Sequence, residues 1–199
     1  MKTLNVGIVG YKFMGRAHSN AWMKAPLFFD MNVKPVRKVA CGRHAESLKA
    51  FADRWGWEQT ETDWKKMVRR DDVDAVDISA PQYLHYEIAM EALKAGKHVF
   101  VEKPLAQSVA EGLKLVQLAK EKARTIMVGH TFVFTAAVNK IKDLIWAKEL
   151  GEILKREIIA RNLLHRRCGE IYDRFYDAAK RIMHKEVFEI SGKEYDSYL

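Results

Sequence analysis

A chain of 199 residues can bury one substantial core with room for a small appendage. Apolar residues make up 48% and charged residues 30%, the profile of a soluble globular protein, and no stretch approaches the roughly 18 uninterrupted apolar residues of a membrane span, so no membrane partner is expected. The net charge of +8 comes from lysines and arginines scattered among acids; the dense runs, Lys65-Lys66 with Arg69-Arg70 and Arg161 with Arg166-Arg167, sit in no nucleic-acid-binding motif, and no nucleic-acid partner is expected either.

From the amino terminus, Leu4 to Val9 is an apolar run ending at Gly10 and reads as a buried parallel strand. Glycines cut this run at Gly7 and Gly10, Lys12 follows, and no small-residue cleavage site comes after, which argues against a signal peptide. Met14 to Lys24 has helical composition. Val36 to Cys41 predicts a second strand, and Ala45 to Trp55 a helix with Leu48, Phe51, Ala52 and Trp55 on one face. Asp63 is placed to cap a short helix through Val68. Val73 to Ile78 predicts a strand, Tyr83 to Ala95 a helix stopped at Gly96, and His98 to Val101 a strand leading into Glu102-Lys103-Pro104. Ser108 and Glu111 form a capping-box pattern before a helix through Lys120; a strand over Thr125 to Val128 and a helix over Ala136 to Lys148 complete the alternation. Strands alternating with helices predict βαβ units: an α/β, Rossmann-type, doubly wound parallel sheet over residues 1–151.

Residues 152–199 differ in character. They contain no proline, and from Cys168 the apolar positions Ile171, Tyr172, Phe175, Tyr176, Ala179, Ile182, Met183 and Val187 recur at spacings of three and four. A mostly helical tail is expected, packing on the main domain or joining copies of the chain as a homo-oligomer. Cys41 and Cys168, the two cysteines, give neither a disulfide framework nor a zinc spacing, which fits a reducing cytoplasm.

The segment Gly7 to Gly15 carries the chemistry. A dinucleotide pyrophosphate needs a tight turn, close approach of backbone to phosphate, and free N–H groups at a helix N-terminus. Gly10 can make the turn, and Gly15 can bring the helix close to the strand. Lys12 stands where the middle glycine of G-x-G-x-x-G is usual; it either crowds the pyrophosphate or turns aside and offers it a positive charge. Such turns also serve flavins, S-adenosylmethionine and plain structure. After the second strand, Gly42-Arg43-His44 replaces the usual acidic ribose ligand. An arginine can pair with a 2′-phosphate, which tilts the choice between NAD and NADP towards NADP or towards no preference.

Three runs carry a resemblance: Gly10 to Trp22; Ser79-Ala80-Pro81 with His85; and Ala95 to Ala106, which contains Lys-His-Val-Phe-Val before Glu-Lys-Pro. Together they resemble the glucose–fructose oxidoreductase/inositol dehydrogenase (Gfo/Idh/MocA) family over roughly residues 3–153. The resemblance implies an NAD(P)-binding Rossmann domain of an oxidoreductase that acts on a sugar or polyol by hydride transfer. It places Gly10, Lys12, Phe13 and Met14 along the pyrophosphate and Arg43 at the adenosine ribose. Ser79, Pro81 and His85 would line the cofactor cleft, and Glu102 and Lys103 would lie beside the nicotinamide. His130 in Gly129-His130-Thr131 matches the family's loop near the nicotinamide. Lys103 is the implied catalytic residue, since a positive charge there stabilises a developing alkoxide.

The resemblance also exposes a departure. Family enzymes continue into a second, sheet-built substrate domain, commonly with an Asp and a His four apart on a helix. No Asp-x-x-x-His occurs in this sequence, and residues 152–199 cannot build such a sheet, so the substrate domain is expected to be missing or truncated. Three readings follow: the cofactor domain of a sugar or polyol oxidoreductase, a non-catalytic NAD(P)-binding sensor or assembly module, or a basic structural module that binds no nucleotide.

Overall fold

A computed structural model of the chain describes residues 1–147 and 149. It divides into two compact units, Met1–His130 and Thr131–Leu199. The first unit holds six strands: β1 (Lys2–Val9), β2 (Val33–Cys41), β3 (Gln59–Glu61), β4 (Ala75–Ile78), β5 (His98–Val101) and β6 (Ile126–Val128). Every pairing is parallel, and the order is β3-β2-β1-β4-β5-β6. The connecting helices are α1 (Phe13–Phe28), α2 (Ala45–Trp55), α3 (Trp64–Val68), α4 (His85–Lys94) and α5 (Val109–Glu121). This is the Rossmann arrangement, with its topological switch point between β1 and β4.

Alternation along the strands sorts the core into two layers. Val6, Ile8 and Ala40 face one side and pack with Leu48, Phe51, Ala52 and Trp57. Val9, Val39, Cys41, Val76, Ile78, Val99 and Val101 face the other, against Met67, Ile88, Leu93 and Leu115. Both faces are covered, as a wholly parallel sheet requires. Burial, and then the nearby charges of Glu61 and Asp63, push the Cys41 thiol up to about 12, which keeps it protonated.

The expected caps are in place. The Asp63 carboxylate accepts the Lys65 amide (2.8 Å), and the Ser108 hydroxyl accepts the Glu111 amide (3.2 Å). Glu111 reaches back to the amide of Gln107 (3.1 Å), one residue short of the donor a capping box uses. Other elements differ from the expectation. β3 has no apolar alternation in Gln-Thr-Glu and exists because β2 offers its free edge. α1 continues beyond Lys24 through Pro26, which falls in its last turn, to Phe28. The helix expected from Tyr83 begins as a 3₁₀ turn, Gln82–Leu84, before α4.

The second unit is described as a 3₁₀ turn, Thr131–Phe134, and α6 (Ala136–Trp146). The Thr135 hydroxyl caps α6 and donates to the Phe132 carbonyl (2.8 Å). A domain boundary between residues 151 and 152, the amphipathic tail helix and any assembly through it lie outside the described residues. Among the described residues, no helix is long and apolar enough to cross a membrane.

Candidate cofactor site

The strand register sets up the site. Val9, Ile78, Val101 and Val128 are aligned across β1, β4, β5 and β6. The next residues, Gly10, Ser79, Glu102 and Gly129, therefore form a row beyond the carboxyl ends of the strands, where open α/β sheets bind their ligands. The row is held by backbone bonds: Ser79 N–H to Val9 (2.9 Å), Glu102 N–H to Ile78 (2.9 Å) and Gly129 N–H to Val101 (2.8 Å).

Gly10 turns the chain from β1 into α1 with φ +108°, and a Cβ there would lie 2.6 Å from the Ser79 carbonyl oxygen. A Cβ on Gly15 would collide with the Gly10 carbonyl oxygen, so both positions need the absent side chain for the helix to meet the turn. The Ser79 hydroxyl donates to the Gly10 carbonyl (3.0 Å) and fixes the turn from β4. Lys12, the residue before α1, makes no side-chain cap. Helix start and turn thus bring together two features a pyrophosphate site requires, a tight backbone turn and the positive end of a helix. Phe13 is 80% exposed beside the turn, Lys12 is exposed and Met14 is half-buried.

Arg43 is exposed just before α2, whose first turn receives no side-chain cap from His44. The Tyr11 ring packs so closely on Gly42 that a Cβ there would strike it. Arg43 therefore stands at the end of β2, the strand paired with β1, next to the residue that touches the glycine turn.

Beyond β4, β5 and β6, respectively, Pro81, Lys103 and His130 are exposed. Two side chains expected to face the cofactor turn inward instead. His85 is 1% exposed, with Nδ1 2.7 Å from the Pro104 carbonyl and Nε2 2.8 Å from the Ala80 carbonyl. It fastens the two loops together, because α4 starts at His85 and aims the ring under them. Glu102 is buried as well. Its Oε2 accepts the Lys103 backbone N–H (3.1 Å) and its Oε1 lies 3.1 Å from His18 Nε2. Glu102 continues the alternation of β5 beyond Phe100, which carries its side chain to the α1 side of the sheet.

That inward turn reveals a cluster that residue order did not suggest. His18 Nδ1 lies 2.7 Å from Asp77 Oδ1, and Trp22 donates its indole N–H to Asp77 Oδ2 (2.7 Å). His18 and Trp22 are four apart on α1 and so share a face. Asp77 is fully buried on the central strand β4, and the His18 ring lies against Phe100, with centroids 5.1 Å apart. Burial acts to lower the His18 pKa; hydrogen bonding to Asp77 and its charge, followed by those of Glu102, outweigh burial and hold it above the ordinary 6.5. A sequence signal existed. An acid inside an apolar strand buried on both faces must find a partner, and the facing helix offers His18.

Residues 4–130 match the family described as "Oxidoreductase family, NAD-binding Rossmann fold" (Gfo/Idh/MocA). The chain belongs to this family. Levoglucosan dehydrogenase of Pseudarthrobacter phenanthrenivorans is 39% identical over 155 residues, which are 77% of this chain and 40% of the relative. Among solved structures, an oxidoreductase domain protein from Kribbella flavida matches at 45% identity and TM-score 0.72, over 76% of this chain and 41% of that one. Levoglucosan dehydrogenase in complex with NADH and levoglucosan matches at 38% identity and TM-score 0.72, again over 76% and 41%. This Gfo/Idh/MocA chain therefore carries the family's NAD-binding domain and spans about two fifths of the length of these relatives.

Proposed function

We propose that the chain supplies the cofactor half of an NAD(P)-dependent oxidoreductase that transfers hydride to or from a carbon of a sugar or polyol. The observation that carries the reading is the backbone cradle of Gly10 and Gly15 at the head of α1, in line with the Glu102-Lys103 loop beyond β5. Gly10, Lys12, Phe13 and Met14 would hold the pyrophosphate, Arg43 the adenosine ribose, and Ser79 and Pro81 the adjoining edge. Bound nicotinamide would accept or deliver the hydride. Lys103, exposed just beyond β5, would orient the reacting oxygen and stabilise negative charge on it. His130 would close the nicotinamide end, while His85 and Glu102 support the loops from beneath. The levoglucosan dehydrogenases among the relatives support a sugar as substrate. A free buried Cys41 suits a reducing cytoplasm.

Calorimetric titration of the chain with NAD and, separately, with NADP tests the reading. Saturable binding of one equivalent supports it, and no binding of either cofactor overturns it. Arg43→Ala is expected to weaken NADP about tenfold while changing NAD little, since a guanidinium–phosphate pair is worth roughly 1.5–3 kcal/mol; equal losses for both would refute the phosphate contact. Lys103→Ala is expected to change cofactor affinity less than about tenfold and to abolish turnover of sugars such as levoglucosan. Wild-type rates in that variant would remove Lys103 from its role. Cofactor binding with no turnover of any sugar or polyol by the wild type would favour a binding module.

A further inference from the structure

The buried cluster on the α1 side of the sheet joins two parts of the cofactor site. Among the described residues, the titratable groups that face the His18 ring are Asp77 from β4 and Glu102 from beyond β5. Phe100 of β5 gives it an apolar face, and Trp22 from α1 itself adds an N–H to Asp77. A neutral imidazole has one N–H, whereas here both ring nitrogens meet carboxylate oxygens; only the imidazolium donates to both. The Asp77 contact is the shorter, at 2.7 Å against 3.1 Å for Glu102. Loss of a proton therefore leaves Nδ1–H on Asp77 and turns the Nε2 lone pair towards Glu102. Glu102 packs closely against Gly129, where an added Cβ would lie 2.9 Å from its Oε1. Its other oxygen holds the Lys103 backbone N–H, so the change passes into the Lys103 loop.

We propose that His18 is a positioning residue, an imidazolium clamp that couples the head of the pyrophosphate-binding helix to the Glu102-Lys103 loop and makes the setting of that loop dependent on pH. This rests on the cofactor reading only in assigning the loop to the nicotinamide; the clamp itself can be observed without a cofactor. With His18 protonated, Glu102 is pinned between α1 and the Lys103 amide. With His18 neutral, the loop is released on one side and cofactor affinity falls.

The test uses the full chain, labelled with nitrogen-15, titrated from weakly acid to alkaline pH. Both His18 ring nitrogens should show imidazolium shifts at neutral pH. The Lys103 amide and Trp22 indole signals should then move with the same midpoint as the ring. A Lys103 amide that stays still while the His18 ring titrates would overturn the coupling, as would a neutral ring at neutral pH. In His18→Gln, which keeps polar contacts but holds no charge, the Lys103 transition should vanish; if that variant does not fold, the wild-type titration decides alone. Calorimetry across the same range should show NAD or NADP affinity falling about five- to tenfold above the shared midpoint in the wild type, and a flat profile in His18→Gln. Failure of either cofactor to bind the wild type at any pH would overturn the cofactor reading, while the amide titration would still decide for or against the clamp.

Discussion

Gly10→Ala is expected to abolish dinucleotide binding and to lower folding stability by roughly 2–4 kcal/mol. Two effects combine at this position. The backbone there has φ +108°, a conformation that strains any residue with a Cβ, and the new methyl would fall 2.6 Å from the Ser79 carbonyl oxygen and 2.7 Å from its carbon. Neither atom can yield easily. Ser79 is bound through its N–H to Val9 and through its hydroxyl to Gly10, so the obstacle is backbone at the end of a central strand rather than the tip of a flexible side chain. Relief requires the turn to move outward, which carries the first turn of α1 away from the proposed pyrophosphate position. Calorimetric titration and urea unfolding would measure the two losses together. Cofactor affinity within threefold of the wild type would show that the turn is not the phosphate cradle.

His18→Leu is the second large effect, and it acts mainly on stability. Leucine fills similar space but leaves Asp77 and Glu102 buried without their shared cation. Removing one partner from a buried charged cluster costs about 3–5 kcal/mol, and for a domain of this size that lowers Tm by roughly 6–20 °C. The sign of the pH dependence follows from the raised pKa of His18 in the folded protein. In the folded state His18 binds its proton more tightly than in the unfolded chain, so its contribution is fully present below about 6.5. It is lost as pH rises through the folded-state pKa. The stability gap between wild type and His18→Leu should therefore be widest at mildly acid pH and narrow on the alkaline side. Unfolding curves at several pH values would check this, and a gap that widens with pH would contradict the assigned charge.

Much of the candidate site could be read from residue order, because its signals are local. A glycine turn at the end of an apolar run needs only neighbouring residues to be recognised, and the Glu-Lys-Pro loop lies directly after a strand. The inward turn of Glu102 and His85 was not legible in this way. Each belongs to a run expected at the cofactor, and only the alternation of β5 and the start of α4 direct their side chains beneath the loops. β3 escapes for a related reason: its three residues show no hydrophobic pattern, and it is a strand only because β2 pairs with it.

The order of strands and helices, the two-sided core and the position of the glycine turn are properties of the sequence itself, because they rest on periodicities and on glycines whose effects reach only a few residues. The buried clamp is a product of tertiary structure. Asp77 lies 59 residues from His18 along the chain, and Glu102 lies 84 from it. Nothing local tells a helix histidine that it will meet two carboxylates. Closing the sheet in the order β1-β4-β5 and laying α1 across it brings the three buried side chains within hydrogen-bonding distance.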